Sequence, residues 1–179
     1  MPSATPEPLR LLVFGAHPDD CDIKAGGLAA LYSRAGHHAR LVSLTNGDAG
    51  HHAMGGAALA QRRRAEAQAA GRCLGADYLV LDHHDGELLP DLAVRREVVG
   101  LIREFHPDLV ASPRPWDYHP DHRATAQLVL DAIYLCTVPN FAAFAPHLRR
   151  MPVLVYVHDG FSSPRPFQPT VVVDIDPVW

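Results

Sequence analysis

The sequence is poor in the features that mark several protein classes. Its three cysteines, Cys21, Cys73 and Cys136, are odd in number, widely spaced and never arranged as CxxC. That excludes a disulfide framework and leads us to expect a reducing, cytoplasmic compartment. No apolar run approaches the ~18 residues of a membrane-spanning helix. The opening "MPSATPEP" lacks the basic and apolar regions of a signal peptide and reads as a flexible tail over residues 1–8. Positive charge is not in excess. The formal net charge is −4, so no overall field attracts nucleic acid or an anionic membrane. The one dense basic run, Arg62-Arg63-Arg64, lies in an Ala- and Gln-rich helical pattern and reads as a solvated face. Internal repeats and low-complexity tracts are also missing.

What remains is an ordinary apolar fraction of 47% in 179 residues, enough for one domain with a sizeable core, and twelve histidines, several beside aspartate. Apolar runs at 9–16, 39–45, 77–81 and 108–112 read as strands, and "VLVYVH" (153–158) and "TVVVDID" (170–176) as two more. Between them lie helical patterns. Leu28, Leu31 and Tyr32 have helical spacing, with His37 and His38 at the helix end. Residues 58–75 form a strong helix candidate ending at Gly75, with Cys73 expected in the core. Residues 91–105 are helical, and so is the stretch after the loop at 115–122.

Alternating strands and helices predict an α/β, Rossmann-like three-layer sandwich with a mostly parallel sheet. Ligands of such folds lie outside the carboxyl ends of the strands. The chemistry-bearing residues fall there: His17 to Asp20 after the first strand, Asp48 after the second, Asp85 after the third, and His119 to His122 after the fourth.

The adjacent carboxylates of "AHPDD" repel each other unless a cation or a reaction needs them. A single His-Pro-Asp is also what a capped turn looks like. Here the motif occurs twice, as "HPDD" and "HPDH", each time at a predicted strand end. In both, the first and fourth residues come to one side of a turn. Two imidazoles and a carboxylate are the usual ligand set of a catalytic zinc.

"AHPDD" followed by "GG", then "LTNGDAG", "RRAEAQAAGRCLGA", "DGEL" and "HPDH", resembles the LmbE-like family, the PIG-L type zinc N-acetylglucosaminyl deacetylases. The resemblance runs from about Leu11 to the end and implies one deacetylase domain over residues 9–179. It implies one zinc per chain on His17, Asp20 and His122, with Asp19 as general base. His119 would face the substrate carbonyl as an imidazolium, its ring held and its pKa raised by Asp121. Arg63, ahead of the helix glutamate Glu66, and Asp85 would contact the substrate, an N-acetylated glycoside or related amide.

The chain departs from the family twice. Cys21 and Asp22 follow the aspartate pair where a glutamate is usual, so Asp22 takes over that support or the support is weaker. Members also commonly continue past the "VDI" strand into a helix with another histidine motif. This chain stops at Trp179, which leaves a domain cut short or a pocket without that wall. Two other readings stay open: a DHH-like metal phosphoesterase built on Asp19, Asp20, Asp82, His83 and His84, and a metal- or sugar-binding module without turnover. A homo-oligomer is compatible with all three.

Overall fold

The computed structural model describes residues 7–178. Strand β1 (Arg10–Gly15) is the near-continuous apolar run; from Leu11 onward every residue is buried, as in a central parallel strand. Helix α1 (Asp20–Arg34) follows it directly, with Asp20 and Asp22 in the first turn where the helix dipole favours anions. Strand β2 (His38–Thr45) leads to α2 (Gly56–Leu74), and Gly75, at φ 67°, supplies the left-handed residue that stops the helix. Strand β3 (Asp77–His83) precedes α3 (Leu92–Phe105), whose N-cap Asp91 accepts from the Val94 amide at 3.0 Å. Strand β4 (Leu109–Ser112), α4 (Pro120–Leu135) and β5 (Val153–Tyr156) complete the set, before a final 3-10 turn at Asp176–Val178.

The five strands form one sheet in the order β3-β2-β1-β4-β5, and every pairing is parallel. Helices α1 and α2 cover one face through Cys21, Ala25, Ala29 and Ala67. Helices α3 and α4 cover the other through Val98, Ile102, Leu128 and Val129. This is the expected three-layer sandwich. Strand order reverses between β1 and β4, so the crevice outside their carboxyl ends is the natural ligand position. Among the described residues no helix is long and apolar enough to cross a membrane.

Four expectations are corrected. The segment at 170–176 is not a strand: it pairs with no strand among the described residues, and Val171 and Val172 are exposed. The tail instead crosses to α1, where Ile175 lies so close to Gly27 that a Cβ there would be 2.8 Å from its Cγ2. His37 and His38 do not end a helix. Gly36, at φ 76°, breaks the chain away after Arg34, and His38 begins β2 opposite Arg10. Helix α1 also begins earlier than its apolar spacing suggests, immediately after Asp19, and includes both glycines at 26–27. Cys73 is exposed rather than core. Helix α2 buries Leu59, Ala67 and Gly71, and Cys73 lies roughly 200° round from Gly71.

Candidate metal centre

The two histidine motifs meet where strand order reverses. His17 leaves β1, and Asp20 opens α1 one turn later. Gly15 permits this sharp return, since a Cβ there would lie 2.6 Å from the Asp20 Cβ. His119 is the N-cap of α4 and Pro120 its first residue, a position that suits proline's fixed φ. That places His122 one turn into the helix, facing β1.

Three donor atoms form a nearly equilateral triangle. His17 Nδ1 is 3.2 Å from His122 Nε2 and 3.5 Å from Asp20 Oδ2, and His122 Nε2 is 3.4 Å from Asp20 Oδ2. Bonds of about 2.0–2.1 Å at tetrahedral angles separate neighbouring ligand atoms by roughly 3.3–3.4 Å. The donor set and its spacing therefore fit a zinc-like ion. Asp20 Oδ2 is fixed by the amides of Ala16 and His17, at 2.9 and 2.8 Å. Burial pushes the Asp20 carboxyl up, but bonds to His122, His17 and the backbone outweigh it and hold it far below the usual carboxylate range. Burial pushes His122 down, yet Asp20 and Asp117 lift it to about 9.

Each imidazole is oriented by its other nitrogen. His122 Nδ1 meets Asp117 Oδ2 at 3.0 Å, and His17 Nε2 meets Asp85 Oδ1 at 3.2 Å and Asp121 Oδ2 at 3.3 Å. Carboxylates in that position fix the tautomer of a metal-binding histidine. Asp117 was not singled out from the sequence; the signal was the need of any ligand histidine for such a partner, which "WDYHPDH" supplies.

The remaining candidates surround this triangle. Asp19, the N-cap of α1, keeps a half-exposed carboxylate that makes no capping bond. Arg63 reaches across from α2 to bind Asp19 Oδ2 at 2.7 Å and Glu66 at 3.2 Å. Its guanidinium is therefore engaged by two acids of the chain. The neighbouring arginines are matched too, Arg62 with Glu66 and Arg64 with Asp82.

Asp121 is fully buried, but its carboxylate does not hold the His119 ring as expected. It accepts from the amides of Gly86 at 2.7 Å and Leu88 at 3.2 Å and faces His17. Its own backbone N–H instead donates to His119 Nδ1 at 3.2 Å. The expected rise in the His119 pKa is also reversed. Burial lowers it, and His17 and His122 lower it further against weaker support from Asp121 and Asp85. His119 is thus a neutral imidazole whose Nδ1 accepts a backbone proton, which leaves its own proton on Nε2.

Cys21 and Asp22 both point away from the centre. The Cys21 thiol is buried against the Val13 and Val42 carbonyls, and burial pushes its pKa up. Asp22 is directed toward Tyr78, so it does not support the centre in place of a glutamate. The phosphoesterase set does not assemble. Asp82 is exposed beside Arg64 and Asn46, His83 pairs with Glu97, and His84 pairs with Asp48. None of the three reaches the triangle. Asp82 and His84 instead line a cleft of about 320 Å³ with Asn46, Asp48, Gln61 and Arg64. It adjoins the centre through Asp48, which accepts from the Asp85 amide at 3.0 Å.

Residues 12–133 match the family model described as GlcNAc-PI de-N-acetylase, PIG-L. The chain is 32% identical to a diacetylchitobiose deacetylase of Thermococcus kodakarensis, covering 94% of this chain and 64% of that protein. Among solved structures, it resembles an N,N'-diacetylchitobiose deacetylase from Pyrococcus horikoshii with a TM-score of 0.84 at 28% identity, over 94% of this chain and 65% of that one. It also resembles a 4-carboxy-2-hydroxymuconate hydratase from Pseudomonas putida, with a TM-score of 0.86 at 25% identity, over 96% and 74%. The chain thus spans somewhat less than two thirds of the length of these deacetylases.

Proposed function

This chain belongs to the PIG-L, or LmbE-like, family of GlcNAc-PI de-N-acetylases, and from that premise we propose that it is a metal-dependent amidase that removes acetyl groups from N-acetylated amino sugars. The observation that carries the reading is the donor triangle of His17, Asp20 and His122, held by second partners at both imidazoles. We assign one zinc ion per chain to these residues. When bound, such an ion supplies Lewis acidity, polarising an amide carbonyl and acidifying a water.

The chain's own groups do the rest. Asp19 accepts the proton of the attacking water and returns it to the departing amine. Arg63 aims the Asp19 carboxylate through their 2.7 Å contact. His119 donates its Nε2–H to the developing oxyanion, and as a neutral imidazole it does so without taking up a second proton. A donor of this kind is often worth about 3 kcal/mol. Asp121 fixes the N-terminus of α4 by gathering the Gly86 and Leu88 amides. We assign Asp85 to the sugar and the adjoining cleft to the group beyond it. The whole of residues 9–179 acts as one domain, and free thiols suit a cytoplasmic setting.

The test is an amine-release screen of N-acetylated mono- and disaccharides with the zinc-loaded protein. Release of one amine per acetate supports the reading. A zinc-loaded protein that cleaves none of them, while hydrating an unsaturated carboxylic acid, overturns it in favour of hydratase chemistry.

A further inference from the structure

An N-acylated amino sugar is polar on one side of its amide and apolar on the other. The crevice has the same asymmetry. Toward β2 and β3 lies the polar cleft of Asp48, Gln61, Arg64 and Asp82. The donor triangle stands in the middle, where β1 meets β4. Toward β5, on the opposite side, stand two aromatic rings, Tyr118 and Phe161. The Tyr118 ring lies 5.9 Å from that of His119, 6.1 Å from that of His122 and 5.3 Å from that of Phe161. It borders the metal centre, yet it is 72% exposed.

A single exposed aromatic is ordinary. Phe161 is different, because its backbone is held at both ends of the residue. Asp159 Oδ1 accepts from the Phe161 amide at 3.0 Å, and Arg114 Nη2 donates to the Phe161 carbonyl at 3.5 Å. These two side chains are joined to each other. Arg114 donates through Nε and Nη2 to the two Asp159 oxygens at 2.5 Å each, and through Nη1 to the Arg165 carbonyl at 3.2 Å. Both are buried, Arg114 at 7% exposure and Asp159 at 9%. A buried ion pair adds little net stability, but a bidentate fork adds geometric specificity. The geometry it fixes here is that of the loop carrying Phe161. Neither residue belongs to the donor triangle or to the groups that orient it.

We propose that Tyr118 and Phe161 form the wall against which the acyl group of the substrate lies, that Arg114 and Asp159 are positioning residues for this wall, and that the site accepts straight acyl chains longer than acetyl. The inference rests on the deacetylase reading. With the carbonyl at the triangle and the sugar toward Asp85, the acyl chain leaves on the side of β4 and β5. An acetyl methyl is too short to cover two rings. A longer chain runs along both and takes apolar ring surface out of water. The exposure of Tyr118 leaves the wall open beyond the methyl position, so no closed pocket caps the chain.

The test compares kcat/KM of the zinc-loaded protein for N-acetyl-, N-butyryl- and N-hexanoylglucosamine. In wild type it should rise by about twofold per added methylene, since each is covered on one side only. Phe161→Ala and Tyr118→Ala should each cut the hexanoyl-to-acetyl ratio by about fivefold or more, and Tyr118→Phe should keep it. Arg114→Gln should lower the same ratio while retaining zinc; a merely structural role would slow both substrates equally and leave the ratio alone. If that variant fails to fold by circular dichroism, Asp159→Asn supplies the comparison. A wild-type ratio below one, or a ratio unchanged in both alanine variants, overturns the wall. A ratio unchanged in the Arg114 or Asp159 variant overturns their positioning role. If no compound releases an amine, the deacetylase reading falls, and carboxylate binding decides the wall by itself. Hexanoate should then bind about tenfold tighter than acetate and shift the ring signals of Tyr118 and Phe161 in NMR spectra. Equal affinity for the two carboxylates overturns the wall as well.

Discussion

The Asp117 carboxylate meets His122 Nδ1 at 3.0 Å, and this turns His122 Nε2 toward His17 and Asp20. The same aspartate accepts from the His119 amide at 2.9 Å, so one side chain sets both histidines of the second motif. Asp117→Asn should fold normally and lose roughly 10- to 100-fold in zinc affinity. Competition with a chromogenic chelator measures it, and unchanged affinity would show that Asp117 does not orient the ligand.

Asp19→Asn should keep zinc and lose about 100- to 10,000-fold in kcat. The amide preserves size and removes the base, and Asp19 takes no part in the donor triangle. Metal content and initial rates on the same preparation separate the two effects. Near wild-type turnover in the zinc-loaded variant would exclude Asp19 as the base.

Without metal, the site should make stability depend on pH. Burial opposes the charged form of His17, but Asp20 and Asp85 prevail and raise it; His122 is raised in the same way to about 9. A histidine that titrates higher folded than unfolded contributes fully below about pH 6.5. That contribution fades as pH rises through the folded value. Tm of the chelated protein should therefore fall between pH 6.5 and about 9, and His122→Asn should flatten the decline. Zinc should remove it too, since the ion replaces those protons. A Tm that stays level across this range in chelated wild type would contradict the coupling.

Arg103 is fully buried on α3 and donates to the carbonyls of Leu135, Cys136, Val138, Ala142 and Ala145. It closes the carboxyl end of α4 and the irregular stretch after it. Arg103→Lys keeps the charge but cannot reach five acceptors from one ammonium. The loss should be about 3 kcal/mol or more, because several buried carbonyls go unpaired. Urea unfolding reads this directly; a change within 0.5 kcal/mol of wild type, about the range of a surface substitution, would mean water replaces the guanidinium.

The layers, the parallel sheet and the meeting of the two histidine motifs were legible because each rests on local pattern. A fully apolar run marks a central strand, and a strand end marks a loop at the crevice. What was hidden depends on contacts distant in sequence. Val171 to Val173 have strand propensity but pair with no strand among the described residues. Cys73 lies on a helix whose buried face is fixed by the sheet beneath it. For His119, the adjacent aspartate suggested a raised pKa, whereas burial and two other histidines decide the sign. The orienting role of Asp117 needed the three-dimensional position of its partner.

The sheet order has a consequence for how the protein is made. Because β1 pairs with β4, the first histidine motif is synthesised 105 residues ahead of the His122 it must meet. At ribosomal speeds that gap lasts roughly 5–20 s. Throughout that interval the nascent chain carries two of the three donors and cannot discriminate among the metals it meets. Metal selection must therefore follow the pairing of β1 with β4, and the ion's identity should depend on what is available to the assembled sheet rather than to the first motif alone.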